Sequence, residues 1–325
     1  MAALGDFEAL TPDLLLSAVE TAMGVRLTGL THQHPSYINR VYELQDTQGT
    51  RLIVKFYRPG RWNVAALQAE HDFVGACAAA EIPVIAPLPL ASGKTLGRAD
   101  GYCFAVYPKR WGRTLELNEP DAWRRLGRLL ARVHLVGQRE PAPARITLHP
   151  AHSTRSDVAD LLAGGQLDPS HEAELRSVTG ELLELITPGF ADCEMIRIHG
   201  DCHAANVLDR PDEGLMLIDF DDMAMGPPIQ DLWMLLPGSV QDTRGELRLV
   251  LEGYTELREF DHASLRLAEP LRAMRVLYFL AWCARQQSDP GFRHHFPDWG
   301  SFNFWAKELG ELRVQLDATH RALEA

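Results

Sequence analysis

The densest concentration of chemistry-bearing residues is His199-Gly200-Asp201-Cys202-His203-Ala204-Ala205-Asn206, followed after 13 residues by Asp219-Phe220-Asp221-Asp222. Asn206 and Asp219 offer one amide oxygen and one carboxylate. That donor set suits Mg²⁺, which takes one or two protein side chains and completes its shell with substrate phosphates. Asp201 is then free to accept a proton from an incoming hydroxyl. A polar H-x-D-x-x-x-x-N turn arises readily by chance. The apolar run Leu215 to Ile218 ending abruptly in Asp219 makes the pair of segments more specific.

Upstream, Arg40 to Gln45 and Arg51 to Tyr57 flank a turn carrying Gly49 and are expected to form a hairpin. Alternation puts Leu52, Val54 and Phe56 on one face of the second strand, and Lys55 with Ile53 and Tyr57 on the other. Asn63 is a fitting N-cap for a helix over Val64 to Ala80. On that helix Glu70 shares the apolar stripe of Leu67, Val74 and Cys77. A carboxylate there is costly unless paired, and Lys55 is the expected partner. Ile82 to Leu90, with three prolines, favours an edge strand or extended connection, and Tyr102 to Tyr107 another strand. Beyond Pro108 the pattern turns helical: Pro120 to Val136, Glu172 to Ile186, Leu271 to Ala284 and a last helix from about Phe304. The expectation is an α+β protein with a β-rich N-terminal lobe (1–107) and a mainly helical C-terminal lobe (108–325).

The 325 residues carry 32 basic against 44 acidic side chains, a net charge of −12, which disfavours a nucleic-acid partner. The longest apolar run, Val276 to Ala284, is nine residues, about half a membrane span, and reads as a buried core helix. The opening Met1 to Asp6 has no basic cluster and no apolar stretch after it, so a cytoplasmic location is expected. The five cysteines, Cys77, Cys103, Cys193, Cys202 and Cys283, include no C-x-x-C pair and fit scattered thiols. No dimerisation element is readable, so a monomer is the default.

HGDCHAAN followed by LMLIDFDD resembles the catalytic and metal-binding loops of the aminoglycoside phosphotransferase and choline kinase superfamily. SYINRVYEL, LIVKFYRPGRW, GPPIQDLWMLL and EPLRAMRVLYFLAWCARQQSDPGF together resemble the bacterial stress response kinase A subfamily, over about residues 30 to 300. This resemblance implies a two-lobed protein-kinase-like fold with ATP and Mg²⁺ between the lobes. It implies Lys55 on the nucleotide phosphates, held by Glu70, and Ser36 against ATP by its hydroxyl or backbone N–H. Asn206 and Asp219 would hold metal, and Asp201 would be the catalytic carboxylate. Asp231 resembles the helix aspartate that bonds the catalytic-loop backbone. No G-x-G-x-x-G is present, Ile38 stands where the subfamily has Glu, and Asp-Phe-Asp-Asp replaces Asp-Phe-Gly without a later Ala-Pro-Glu. Asp221 and Asp222 read as solvated loop acids, with assistance to the metal or recognition of substrate as the alternative; His134, His199 and His203 read as packing, hydrogen-bonding or loop-shaping residues. The implied activity is a serine/threonine protein kinase in a stress response, with a small-molecule kinase acting on an aminoglycoside, choline or related amino alcohol as the alternative. Outside this class stand a haloacid dehalogenase-type phosphatase built on Asp219 and Asp221, an inactive nucleotide-binding module, and a weak zinc reading of His199, Cys202 and His203.

Overall fold

A computed structural model describes residues 5–211, 213–289 and 291–324. Met1 to Leu4, which open the N-terminal reading, lie outside the described residues. In chain order the elements are α1 (Pro12–Met23), β1 (Leu27–His34), β2 (Arg40–Asp46), β3 (Arg51–Phe56), α2 (Val64–Ala79), β4 (Gly97–Ala99), β5 (Tyr102–Pro108), β6 (Arg113–Thr114), α3 (Pro120–Gly137), α4 (Arg155–Ala163), α5 (Glu172–Ile186), β7 (Ile196–Ile198), β8 (Val207–Arg210), β9 (Gly214–Leu217), β10 (Ala224–Gly226), α6 (Ile229–Trp233), α7 (Arg244–Thr255), α8 (Ala268–Gln286), α9 (Phe292–His295) and α10 (Phe302–Glu324). They gather into two compact units, one of residues up to 116 with 204–222, the other of residues 117–203 with 223–324.

The first unit is built on a five-stranded antiparallel sheet in the order β1-β2-β3-β5-β4. The β2–β3 turn is fixed by Asp46, whose Oδ1 accepts from the N–H groups of Gln48 and Thr50, and by Gly49 at φ +91°. One face of the sheet buries Leu44, Leu52, Val54, Phe56, Phe104 and Val106 against Leu15 and Val19 of α1. Asn63 caps α2 as expected, its side chain accepting from Ala66 N–H at 2.8 Å. Ile82 to Leu90 forms no strand: three prolines remove donors, and Val84 makes only an isolated parallel bridge to Leu217. A separate sheet, β6-β8-β9, carries the downstream motif, with Val207 opposite Leu217.

The second unit is helical around a two-stranded β7–β10 ribbon. Helices α3 and α7 cross so closely that glycines are required on both sides. A Cβ on Gly127 would lie 2.0 Å from the Val250 carbonyl, and one on Gly253 2.0 Å from that of Arg124. The apolar run Val276 to Ala284 lies within α8, but not as a helix buried all round: Leu277, Leu280, Ala281, Cys283 and Ala284 face the core while Phe279 is 46% exposed. Among the described residues no helix is long and apolar enough to cross a membrane, and all five cysteines are free thiols.

Candidate functional site

Within the first unit, Lys55 lies near the end of β3 on the face opposite the Leu52, Val54, Phe56 stripe, as alternation requires. Its ammonium lies 3.0 Å from Asp219, 3.5 Å from Asp221 and 3.8 Å from Glu70. Burial alone would lower the pKa of this lysine. The three carboxylates overcome that and hold it well above its ordinary value, so the side chain is a fixed cation. Glu70 is buried, as its place on the apolar stripe of α2 requires, and Lys55 is the expected partner.

Asp221 corrects the expectation of a solvated loop acid. Its carboxylate is buried and receives Lys55, the Arg61 guanidinium and, at 3.1 Å, the Asn39 amide. Arg61 also donates to Asp222 at 2.6 Å, so Asp222 too is held rather than freely solvated. The physical reason is supply of cations. Arg61, 160 residues upstream of Asp221, neutralises a carboxylate that local sequence places in a polar loop. Asp219 differs from its neighbour: its side chain is 55% exposed, and it sits at φ +60°, a region Asp tolerates better than bulky residues.

Lys55, Glu70 and Asp219 border a cavity of about 350 Å³, within the range of small-ligand sites. Ser36, Lys55 and Asp219 supply polar lining, and Val41, Ile53 and Ile85 apolar walls. Ser36 belongs to the β1–β2 connection, which no glycine cradle forms. Arg58, itself buried, braces it by donating Nε–H to the Ile38 carbonyl and Nη2–H to that of Tyr37, while its backbone N–H donates to the Asn39 side chain. Ile38 lines the cavity and gives it an apolar wall. A chain of hydrogen-bonded groups, buried at His71 and Tyr57 and half-buried at its ends, runs beside Lys55 from Thr95 through His71 to Tyr57 and Tyr107.

Asn206 closes a 3₁₀ turn just before β8, and its carbonyl accepts from Ile218 N–H at 2.9 Å. The hairpin register therefore brings Asn206 and Asp219 to the same end of β8–β9. An amide oxygen and an exposed carboxylate at one end of a hairpin are hard oxygen donors that fit Mg²⁺. Among the described residues no cluster of three or more His, Cys, Asp or Glu is arranged to hold a metal, so the zinc reading gains nothing.

Within the second unit, Asp201 lies in the loop after β7. Asp231, fully buried on α6, accepts from the backbone N–H groups of His199 and Gly200, both at 2.8 Å. Its carboxylate also faces His134, which reaches Tyr254 at its other nitrogen. His134 and His199 are thus the support residues expected of them; His199 Nδ1 accepts from Asp201 N–H. The Asp201 carboxylate receives Arg275 at 2.6 Å and faces His203 at 3.6 Å. Burial would raise its pKa, but His203 and Arg275 outweigh that and hold it below the ordinary carboxylate value.

Sequence reasoning missed Arg61, Asn39, His71 and Arg275. Arg61 and Arg275 lie inside the blocks LIVKFYRPGRW and EPLRAMR, where the only available signal was a basic residue beside an apolar run.

The sequence profile of the phosphotransferase enzyme family (APH) matches residues 31–268. Stress response kinase A of Salmonella choleraesuis (strain SC-B67) is 39% identical over 317 residues, covering 97% of this chain and 95% of that protein. The serine/threonine protein kinase RdoA of Salmonella typhimurium (strain LT2) is 38% identical over the same share of each. Among solved structures, amicoumacin kinase hAmiN in complex with AMP-PNP, Ca²⁺ and Ami superimposes with a TM-score of 0.72 at 18% identity, covering 94% of this chain and 93% of that one. The chain belongs to the phosphotransferase enzyme family and has the α+β fold of its kinases. A haloacid dehalogenase-type phosphatase is thereby set aside.

Proposed function

We propose that this phosphotransferase is an ATP- and Mg²⁺-dependent serine/threonine protein kinase acting in a bacterial stress response. The observation that carries the nucleotide reading is the convergence of Lys55, Glu70, Asp219 and Asp221 beside the cavity lined by Ser36. Lys55 binds phosphate oxygens of the nucleotide, exchanging its contact with the exposed Asp219 for one with substrate, while buried Glu70 and Asp221 keep the ammonium in place. Ser36 donates a hydrogen bond to the phosphates from the braced β1–β2 connection. Asn206 and Asp219 would hold the divalent cation, which when bound spreads the charge developing on the transferred phosphoryl group. Asp201 accepts the hydrogen bond of the acceptor hydroxyl and orients it. Its lowered pKa keeps it ionised, and the Asp231 bonds to His199 and Gly200 fix the loop that presents it.

The protein acceptor is supported by the names of relatives about 39% identical over nearly the whole chain. The test is transfer of labelled γ-phosphate from Mg-ATP to a mixed protein extract, in parallel with aminoglycosides and amino alcohols, with Asp201→Ala as the blank. Label on protein serine or threonine that vanishes in the variant is the expected outcome. Label on small molecules alone would move the acceptor to the amino-alcohol side.

A further inference from the structure

The position of Arg275 bears on which hydroxyl the enzyme accepts. This residue, on α8, donates Nη2–H to Asp201 Oδ1 at 2.6 Å, and its guanidinium lies 5.0 Å from the centre of the Tyr278 ring. An aromatic face stabilises a guanidinium and orients it. The side chain is 31% exposed. Arg272, one turn earlier, is differently committed: it donates to the Gly238 carbonyl, faces Glu269 and stacks over Trp233. On the other side of Asp201 stands His203, 3.6 Å from Oδ2. Around the carboxylate proposed to orient the acceptor, the chain thus places cationic or potentially cationic groups, against its overall charge of −12.

We infer that Arg275 selects the acceptor by charge, favouring a serine or threonine flanked by acidic residues over a cationic amino alcohol. This rests on the reading of Asp201 as the carboxylate that orients the hydroxyl. When the hydroxyl donates to Oδ2, Arg275 keeps Oδ1 through Nη2, and the rest of its five-donor fork faces the acceptor. A carboxylate beside the hydroxyl completes that fork. An ammonium in the same place meets a like charge, a juxtaposition that discriminates strongly against a wrong partner. Long-range attraction of the acidic surface for cations is screened within about 10 Å at ordinary salt, whereas a direct contact at the partly buried Arg275 is screened less.

The test uses two matched degenerate peptide sets with a central serine, flanked on both sides by glutamate in one and by lysine in the other, with kcat/KM measured for each on the full chain. The wild type is expected to favour the glutamate set by about tenfold. Arg275→Gln should bring the ratio to within about twofold, Arg275→Glu should invert it, and Arg275→Lys should retain a preference for glutamate. A merely structural role would lower both sets together and leave the ratio intact, which overturns the inference, as does a wild-type ratio near one or in favour of lysine. Wild-type transfer to cationic amino alcohols and to neither peptide set overturns the inference and the protein-kinase reading while leaving Asp201 in its role. Transfer to no hydroxyl of any kind removes the Asp201 reading and the inference with it.

Discussion

His71 gives the cavity-lining region around Lys55 a measurable acid sensitivity. Its ring is buried between Tyr57 and Thr95, accepting from or donating to each at 2.8 Å, and Lys55 stands nearby. Burial first, and the positive charge of Lys55 second, pull its pKa from 6.5 down to about 4. The unfolded chain takes up a proton near pH 6.5, whereas the folded chain resists protonation until about pH 4. The neutral ring therefore contributes stability that is fully present above pH 6.5 and is lost as pH falls through the interval down to 4. The interval from 6.5 to 4, at about 1.4 kcal/mol per pH unit, amounts to roughly 3 kcal/mol. Between pH 7 and 4.5 about 2 kcal/mol of it should disappear. The assay is urea unfolding followed by tryptophan fluorescence at both pH values, for the wild type and for His71→Gln, which cannot titrate. The variant should be less stable at pH 7, by about 1 kcal/mol for imperfect hydrogen bonds, and that deficit should close and reverse at pH 4.5. Equal acid losses in both proteins would refute a neutral, desolvated His71.

Further expectations concern the charged cluster, the loop support and the packing. Lys55→Met removes the cation shared by buried Glu70 and Asp221 and should cost about 3 kcal/mol of stability as well as nucleotide affinity, measured by thermal unfolding and calorimetric titration of ADP. Asp231→Asn weakens the bonds to His199 and Gly200, and should lower stability by about 1–3 kcal/mol and turnover, with ADP affinity held. Gly127→Ala forces α3 and α7 apart and should destabilise by about 1–3 kcal/mol, whereas Gly75→Ala, on the exposed side of α2 with open space around it, should be neutral or stabilising in the same thermal scan.

Local rules made the placement of Lys55 and Glu70, in the proposed nucleotide site, legible. Strand alternation sufficed to place Lys55, a polar residue on an apolar helical stripe pointed to Glu70, and an Asn before an apolar-periodic segment marked the start of α2. The short apolar run Leu215 to Ile218, cut off by acids, is where β9 forms. The edge strand β1 was not legible, since Leu27 to His34 is exposed along most of its length and shows no alternation of apolar and polar residues. Helix α1 carries local signals at both ends, the Thr11 cap and Pro12 at its start and Gly24 at its end. The burial of Asp221 was out of reach for a different reason. It depends on Arg61 and Asn39, more than 150 residues away in the chain, and no local pattern encodes an ion pair closed by tertiary folding. The same holds for Arg275, 74 residues from the carboxylate it contacts.

The most direct test of the roles assigned to Asp201 and Asp219 separates binding from transfer: ADP affinity and single-turnover phosphoryl transfer measured side by side for Asp201→Ala and Asp219→Ala. Asp201→Ala should bind nucleotide as the wild type does while transfer falls by about 10² to 10⁴, and Asp219→Ala should lose both transfer and the Mg²⁺ dependence of binding. Transfer by Asp201→Ala within about tenfold of the wild type would contradict the account.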